Sequence, residues 1–125
     1  MTRFRIGFLS LLALSASAVL VWALPAGAHS TAKRVTTVNV SAGAPSEFKF
    51  SLSPKKVSKG IVTFKVKNVG QVPHDFKIGG RQTKMLNPGQ SATLRVTFLK
   101  AGKYPYLCTV PTHATLGMKG VLTVS

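Results

Sequence analysis

Three stretches of this chain alternate apolar and polar residues with a strict period of two. Phe48, Phe50 and Leu52 alternate with Glu47, Lys49 and Ser51; Val62, Phe64 and Val66 with Thr63, Lys65 and Lys67; Ala92, Leu94, Val96 and Phe98 with Thr93, Arg95 and Thr97. Successive side chains of a strand point to opposite faces, so each run buries one face and wets the other, as in an antiparallel sheet. Turn signals separate the runs at Ser53-Pro54, Lys59-Gly60, Val69-Gly70, Gly79-Gly80, Asn87-Pro88-Gly89 and Ala101-Gly102. Val35–Val40, Asp75–Ile78, Tyr104–Cys108 and Gly120–Val124 complete a set of about seven or eight short strands. Evenly spaced strands without a helical period predict an all-β sandwich or barrel. A small helical turn fits best near Thr83–Leu86, and there is no internal repeat or low-complexity tract.

The strands begin only after a different kind of segment. Arg3 and Arg5 head an apolar run from Ile6 to Leu24, broken by Pro25 ahead of Ala26-Gly27-Ala28. This order reads as a signal peptide over 1–28, cleaved after Ala28, with a short lead-in at 29–34 and the domain at 35–125. The alternative is an uncleaved anchor, because the uncharged stretch Ile6–Ala28 is long enough to span a bilayer. Either reading puts the domain outside the cytoplasm, in the periplasm or beyond, and possible membrane attachment stays open. Of seventeen Lys and Arg, Arg3 and Arg5 lie in the leader; fifteen remain against two acids, Glu47 and Asp75, a formal +13. Such a charge favours anionic surfaces or acidic partner proteins and is silent about the fold. Nucleic acid is a poor candidate for an exported domain whose lysines are scattered over strands and turns. The densest group, Lys55, Lys56 and Lys59, reads as a solvated turn.

Cys108 is the only cysteine, so no disulfide can form within the chain. An unpaired thiol in an exported protein is a buried inert group, one half of an intermolecular disulfide, or a metal thiolate. Its neighbours favour the last. Cys108, His113 and Met118 follow one another with four residues between each pair, and His74 stands upstream in Pro73-His74-Asp75-Phe76. His74 shares parity with Phe76 and Ile78, and Cys108 with Tyr104 and Tyr106, so both should point inward at strand ends. A thiolate and two imidazoles near one plane, with a weak axial thioether, make up the donor set of blue-copper electron-transfer sites. Copper(I) prefers sulfur and copper(II) prefers nitrogen, so a compromise set changes little between oxidation states and exchanges electrons fast. The thiolate also offsets the metal's charge and lets the site be buried.

Two blocks then carry a resemblance. Asn68-Val-Gly70-Gln-Val-Pro73-His74-Asp75-Phe76, and Gly102-Lys-Tyr-Pro-Tyr-Leu-Cys108 through Met118-Lys-Gly-Val-Leu-Thr-Val124, resemble the cupredoxin family of plastocyanin, azurin and rusticyanin. The likeness covers roughly Val35 to Val124. It implies a cupredoxin-like Greek-key β-sandwich in which His74, Cys108, His113 and Met118 hold one type 1 copper ion. It also implies that His113 lies nearest the surface as the electron exit and that Asp75 ties the two ligand loops together. The Cys-x4-His-x4-Met spacing is similar to the longer ligand loops of the family. One departure is Thr112, which stands where many relatives have glycine before the second histidine.

Other residues read as structural. Met85 has no ligand neighbours and is taken as packing; Tyr104 and Tyr106 suit a Greek-key corner; His29 is a tail residue. The expected function is one-electron transfer between redox partners outside the cytoplasm, by a monomer whose basic surface meets acidic docking surfaces. The alternative is an exported copper-binding protein for storage, delivery or resistance. An enzyme is not expected: three histidines are too few for an additional type 2 or trinuclear centre, and a binuclear centre needs a second cysteine. A zinc-loaded sandwich shares the same ligand types.

Overall fold

A computed structural model describes residues 33–125 together with Gly27. The predicted signal peptide and His29 therefore lie outside the described residues. The alternating runs do become strands, nine in all among the described residues, with no helix. They are β1 (Val35–Ala42), β2 (Phe50–Ser53), β3 (Lys56–Val57), β4 (Gly60–Asn68), β5 (Lys77–Ile78), β6 (Arg81–Gln82), β7 (Ser91–Phe98), β8 (Gly102–Leu107) and β9 (Lys119–Val124). The extra strands beyond the seven or eight expected are two-residue pieces too short to show a period. At 83–86 there is no helical turn; Leu86 forms an isolated antiparallel bridge with His74 instead. Leu86 N–H donates to the His74 carbonyl (2.8 Å) and His74 N–H to the Leu86 carbonyl (3.0 Å), which turns the fully buried Leu86 inward.

The strands form two sheets, ordered β2-β1-β4-β7 and β3-β9-β8-β5-β6. Most pairs are antiparallel, as the alternation suggested, but β1 runs parallel to β4 and β3 parallel to β9. The chain causes this by leaving the first sheet after β2, adding β3 to the second, and returning as β4 beside β1. Parallel neighbours need such a crossover. The expected all-β sandwich is the outcome, with mixed sheets.

Register explains the core. Val38 lies opposite Phe64 and Val40 opposite Val66, while Phe64 and Val66 lie opposite Leu94 and Ala92. One face of the first sheet thus buries Val38, Val40, Phe64, Val66 and Leu94 against Phe76, Ile78, Tyr106 and Leu122 of the second layer. Aromatic rings meet edge-on or tilted where the layers touch: Phe50 and Phe64 pack on Phe76 with centroids 5.2 and 5.4 Å apart. Phe48, read as the first inward residue of its run, lies in the turn before β2 and is only half-buried. The β5–β6 hairpin turns through Gly79 and Gly80, with φ of 56° and 74°, a conformation that two glycines supply without a Cβ clash. At the other end Tyr104 Oη donates to the Lys100 carbonyl (2.8 Å), the corner expected of a tyrosine on a late strand.

Strand direction places the site. β1, β4 and β8 end, and β2, β7 and β9 begin, at the same pole of the sandwich, so the loops that carry the candidate ligands converge there. The packing beneath it sets the stability. Replacing Phe64, fully buried between Phe76 and Phe98, by alanine should cost about 3–5 kcal/mol, measured by urea unfolding.

Candidate metal centre

The site begins with Asn68, the last residue of β4, whose side chain is fully buried. Its Nδ2 donates to the carbonyls of Val72 and Leu86, both at 2.8 Å, and its Oδ1 accepts from Gly70 N–H at 2.8 Å. These bonds substitute for a strand partner and fold 69–73 into a loop that delivers His74. A buried amide satisfied in this way rigidifies what it touches.

His74 is completely buried, and its two ring nitrogens face different ways. Nε2 lies 2.8 Å from Glu47 Oε1 in the β1–β2 turn. Glu47 also accepts from the N–H groups of Gln71 (2.9 Å) and Val72 (3.2 Å). The Gln71 N–H, above all, holds the Glu47 carboxyl below its ordinary range, with His74 adding to the effect against the opposing pull of partial burial. An ionised Glu47 takes the Nε2 proton's hydrogen bond and leaves the Nδ1 lone pair of His74 facing the interior of the site. Gly70 makes the approach possible. A Cβ there would run into the Glu47 carboxylate and stand 3.0 Å from His74 Nε2.

The β8–β9 connection brings the other groups. Cys108 N–H donates to the Met118 carbonyl (3.1 Å) and Met118 N–H to the His113 carbonyl (3.0 Å), which closes the loop on itself. Cys108 Sγ then lies 3.6 Å from His113 Nδ1 and 4.0 Å from His74 Nδ1, and the two Nδ1 atoms are 3.2 Å apart. All three donors are buried and lie within 4.8 Å of one another. Met118, also fully buried, packs with Cys108 and Ala42 in a small cluster bordered by Phe48, Phe50 and Val110. His113 is 8 % exposed against 0 % for His74, so it is the donor nearer the surface, and Phe48 covers one side of its ring with centroids 4.9 Å apart.

Asp75 joins the two loops. Its carboxylate accepts from Thr109 N–H (2.6 Å), from the Thr109 hydroxyl and from Gln82 Nε2 (2.6 Å). His74 and Cys108 are thereby linked through their chain neighbours. Burial pushes the Cys108 thiol up, and the Asp75 carboxylate adds to this, while the N–H groups of Asp75 and Val110 pull it down. Removal from water, then the neighbouring His74 ring, holds His113 below the usual imidazole range. A neutral imidazole is the form that binds metals.

Comparison with known proteins agrees with this geometry. The profile of the Cupredoxin-like domain family matches residues 13–124. The chain belongs to the cupredoxin family. A stretch of 43 residues is 46% identical to auracyanin-B of Chloroflexus aurantiacus, covering 34% of this chain and 18% of that protein. A stretch of 51 residues is 43% identical to a copper-containing nitrite reductase of Rhizobium sullae, covering 38% and 14%. The chain therefore matches less than a fifth of the length of either relative. The solved structure of auracyanin from Roseiflexus castenholzii superposes over 73% of this chain and 96% of its own, at 25% identity and a TM-score of 0.56. A soft thiolate and thioether with two imidazoles, buried and preassembled in a cupredoxin, fit one type 1 copper ion.

All four candidate residues named from the sequence thus come to one pole, and so does Asp75. Glu47 was missed as a partner of His74, because its alternation with Phe48 placed it on the wet face. A signal did exist: Glu47 is one of only two acidic residues in a chain of net charge +15. The backbone shows what Thr112 costs. Its φ is 72°, a left-handed conformation that glycine adopts freely and a β-branched residue does not. Thr112→Gly should raise the unfolding free energy of the apo protein by up to about 1 kcal/mol, read from denaturant titration.

Proposed function

We propose that this cupredoxin is a blue-copper electron carrier, with His74, Cys108, His113 and Met118 as the ligands of its single copper. The convergence of His74 Nδ1, Cys108 Sγ and His113 Nδ1 within 4.8 Å in a buried pocket is the observation that carries this reading. Copper bound there would supply a one-electron couple between its two oxidation states. The chain's own part is to keep the donors in place: Glu47 fixes the His74 tautomer, Asp75 locks the two ligand loops together, and Asn68 holds the His74 loop. Donors held by such contacts before the metal arrives move little when its charge changes, which suits fast electron exchange.

The working site is outside the cytoplasm, in a monomer that exchanges electrons with redox partner proteins and has no nucleic-acid role. Catalysis is not part of the proposal. The likeness to a nitrite reductase covers only 14% of that enzyme, and beyond His74 and His113 this sequence holds only His29. The alternative of copper storage or delivery is disfavoured by the burial of the donors, since a metal meant to leave needs an open path.

The full chain, titrated with copper(II), should develop an intense thiolate-to-copper absorption that bleaches with mild reductant and returns on oxidation. Cys108→Ala should abolish the band, and a variant that keeps it would overturn the ligand assignment. Rapid loss of copper to a competing chelator would favour delivery. Met118→Leu should keep the copper and shift its potential. Glu47→Gln should weaken His74 as a donor and favour copper(I), raising the potential by on the order of 59 mV, a tenfold change for one electron. Redox titration of the variants measures both shifts.

A further inference from the structure

The described domain carries fifteen Lys and Arg against two carboxylates, and both carboxylates are engaged at the metal centre. Glu47 serves Gln71, Val72 and His74, and Asp75 serves Thr109 and Gln82. Among the described residues the one ion pair is His74 with Glu47, and no Lys or Arg has a carboxylate partner. The surface charge is accordingly positive throughout, but it is not evenly distributed. At the metal pole Lys49, Lys67, Lys77, Lys84 and Lys119 are partly offset by the two acids, which leaves +3. Lys65, Arg81 and Arg95 lie along the flanks.

The pole opposite the metal centre gathers the other seven. Lys56 and Lys103 flank Thr123 on neighbouring strands, as the register Lys56↔Thr123↔Lys103 shows. Lys59 N–H donates to the Ser125 carbonyl and Thr123 N–H to that of Lys55, which places both residues on the same rim. Gly60 lies opposite Phe98, two residues before Lys100, and Ile61 N–H donates to the Arg34 carbonyl, which brings in Arg34 and Lys33. This pole is +7, or +6 if Ser125 bears a free carboxylate. Leu99, 82% exposed, stands among these cations, and Val35 beside them is also exposed.

We propose that this pole is a docking face for an anionic lipid surface, which holds the domain with its metal centre pointing away from the bilayer. Lysines around a single protruding leucine fit the headgroup boundary, where cations meet phosphates and an apolar tip reaches the acyl region. An acidic redox protein is the poorer occupant. β4 runs the height of the sandwich in nine residues, which separates the two poles by about 26 Å. A protein docked on the basic pole would sit at that distance from His113, and electron tunnelling falls off exponentially with separation. The same charge placed on a membrane leaves the face around His113 open to partners.

The test uses the full chain with vesicles of phosphatidylcholine alone or mixed with phosphatidylglycerol. Hydrogen exchange of the bound protein should slow at 53–60 and 99–103 only when phosphatidylglycerol is present, and high salt should reverse it. Each basic residue near an anionic leaflet strengthens binding roughly fivefold. The variant K55Q/K56Q/K59Q/K100Q/K103Q should therefore lose at least about a hundredfold in the phosphatidylglycerol-dependent part of binding. The control K49Q/K67Q/K84Q/K119Q, at the metal pole, should keep most of it. Protection at 43–49 and 108–118 instead, equal losses in both variants, or indifference to phosphatidylglycerol would each overturn the proposal. So would soluble polyglutamate protecting the same turns as well as vesicles do, since the face would then be a general polyanion site. The exchange measurement on the unaltered protein decides the matter even if the five-fold variant fails to fold.

Discussion

The three hydrogen bonds of the Asn68 side chain hold together the part of the molecule on which everything functional rests. β4 is central in its sheet and ends at Asn68; beyond it the backbone must leave the ladder, and its polar groups need new partners while still buried. The amide supplies them to Gly70, Val72 and Leu86 at once. That anchors the loop that carries His74 on one side and the bridge to Leu86 on the other. The ligand geometry is then inherited from the sandwich itself, because Cys108 and Met118 border β8 and β9 of the facing sheet. A centre built across two packed sheets is as rigid as the core between them.

The two carboxylates complete that rigidity in different ways. Glu47 reaches from the β1–β2 turn to the imidazole of His74, and Asp75 reaches from the residue after His74 to the residue after Cys108. Each ties together segments more than twenty residues apart in the chain. In a protein with so few acids, their placement inside the site has a further effect. Nothing remains to neutralise the lysines elsewhere, and the electrostatic asymmetry of the domain follows from the needs of its metal centre.

Much of this was legible in the residues, for identifiable reasons. Alternation over β4 and β7 is long enough to declare a face, and Val62, Phe64, Val66, Leu94, Val96 and Phe98 are buried as it predicted. The clustering of the four candidate donors was legible because a lone cysteine, two histidines and a methionine at those spacings have few other uses. What alternation cannot reveal is which strand lies beside which. The parallel pairing of β1 with β4 depends on a crossover between sheets, and β5 and β6 are too short to carry a pattern. Glu47 escaped because its partners are 24 to 27 residues away and it sits in a turn, where parity carries no information. Thr112 was noticed as a departure, but its strain is a matter of φ, which a residue name alone does not show.

The parallel pairing has a consequence for how the molecule comes into being. β1 and β4 are matched over eight residue pairs, from Val35↔Ile61 to Ala42↔Asn68. No local turn can start that ladder; the chain must first close a loop of some two dozen residues that visits the opposite sheet. Loop closure of that kind costs entropy before any contact repays it, which disfavours early formation of this ladder. Topologies dominated by such distant contacts fold on a millisecond-to-second scale. Ala42, at the end of that ladder, packs on Cys108 and Met118, so burial of the thiol depends on a contact that no local turn can make.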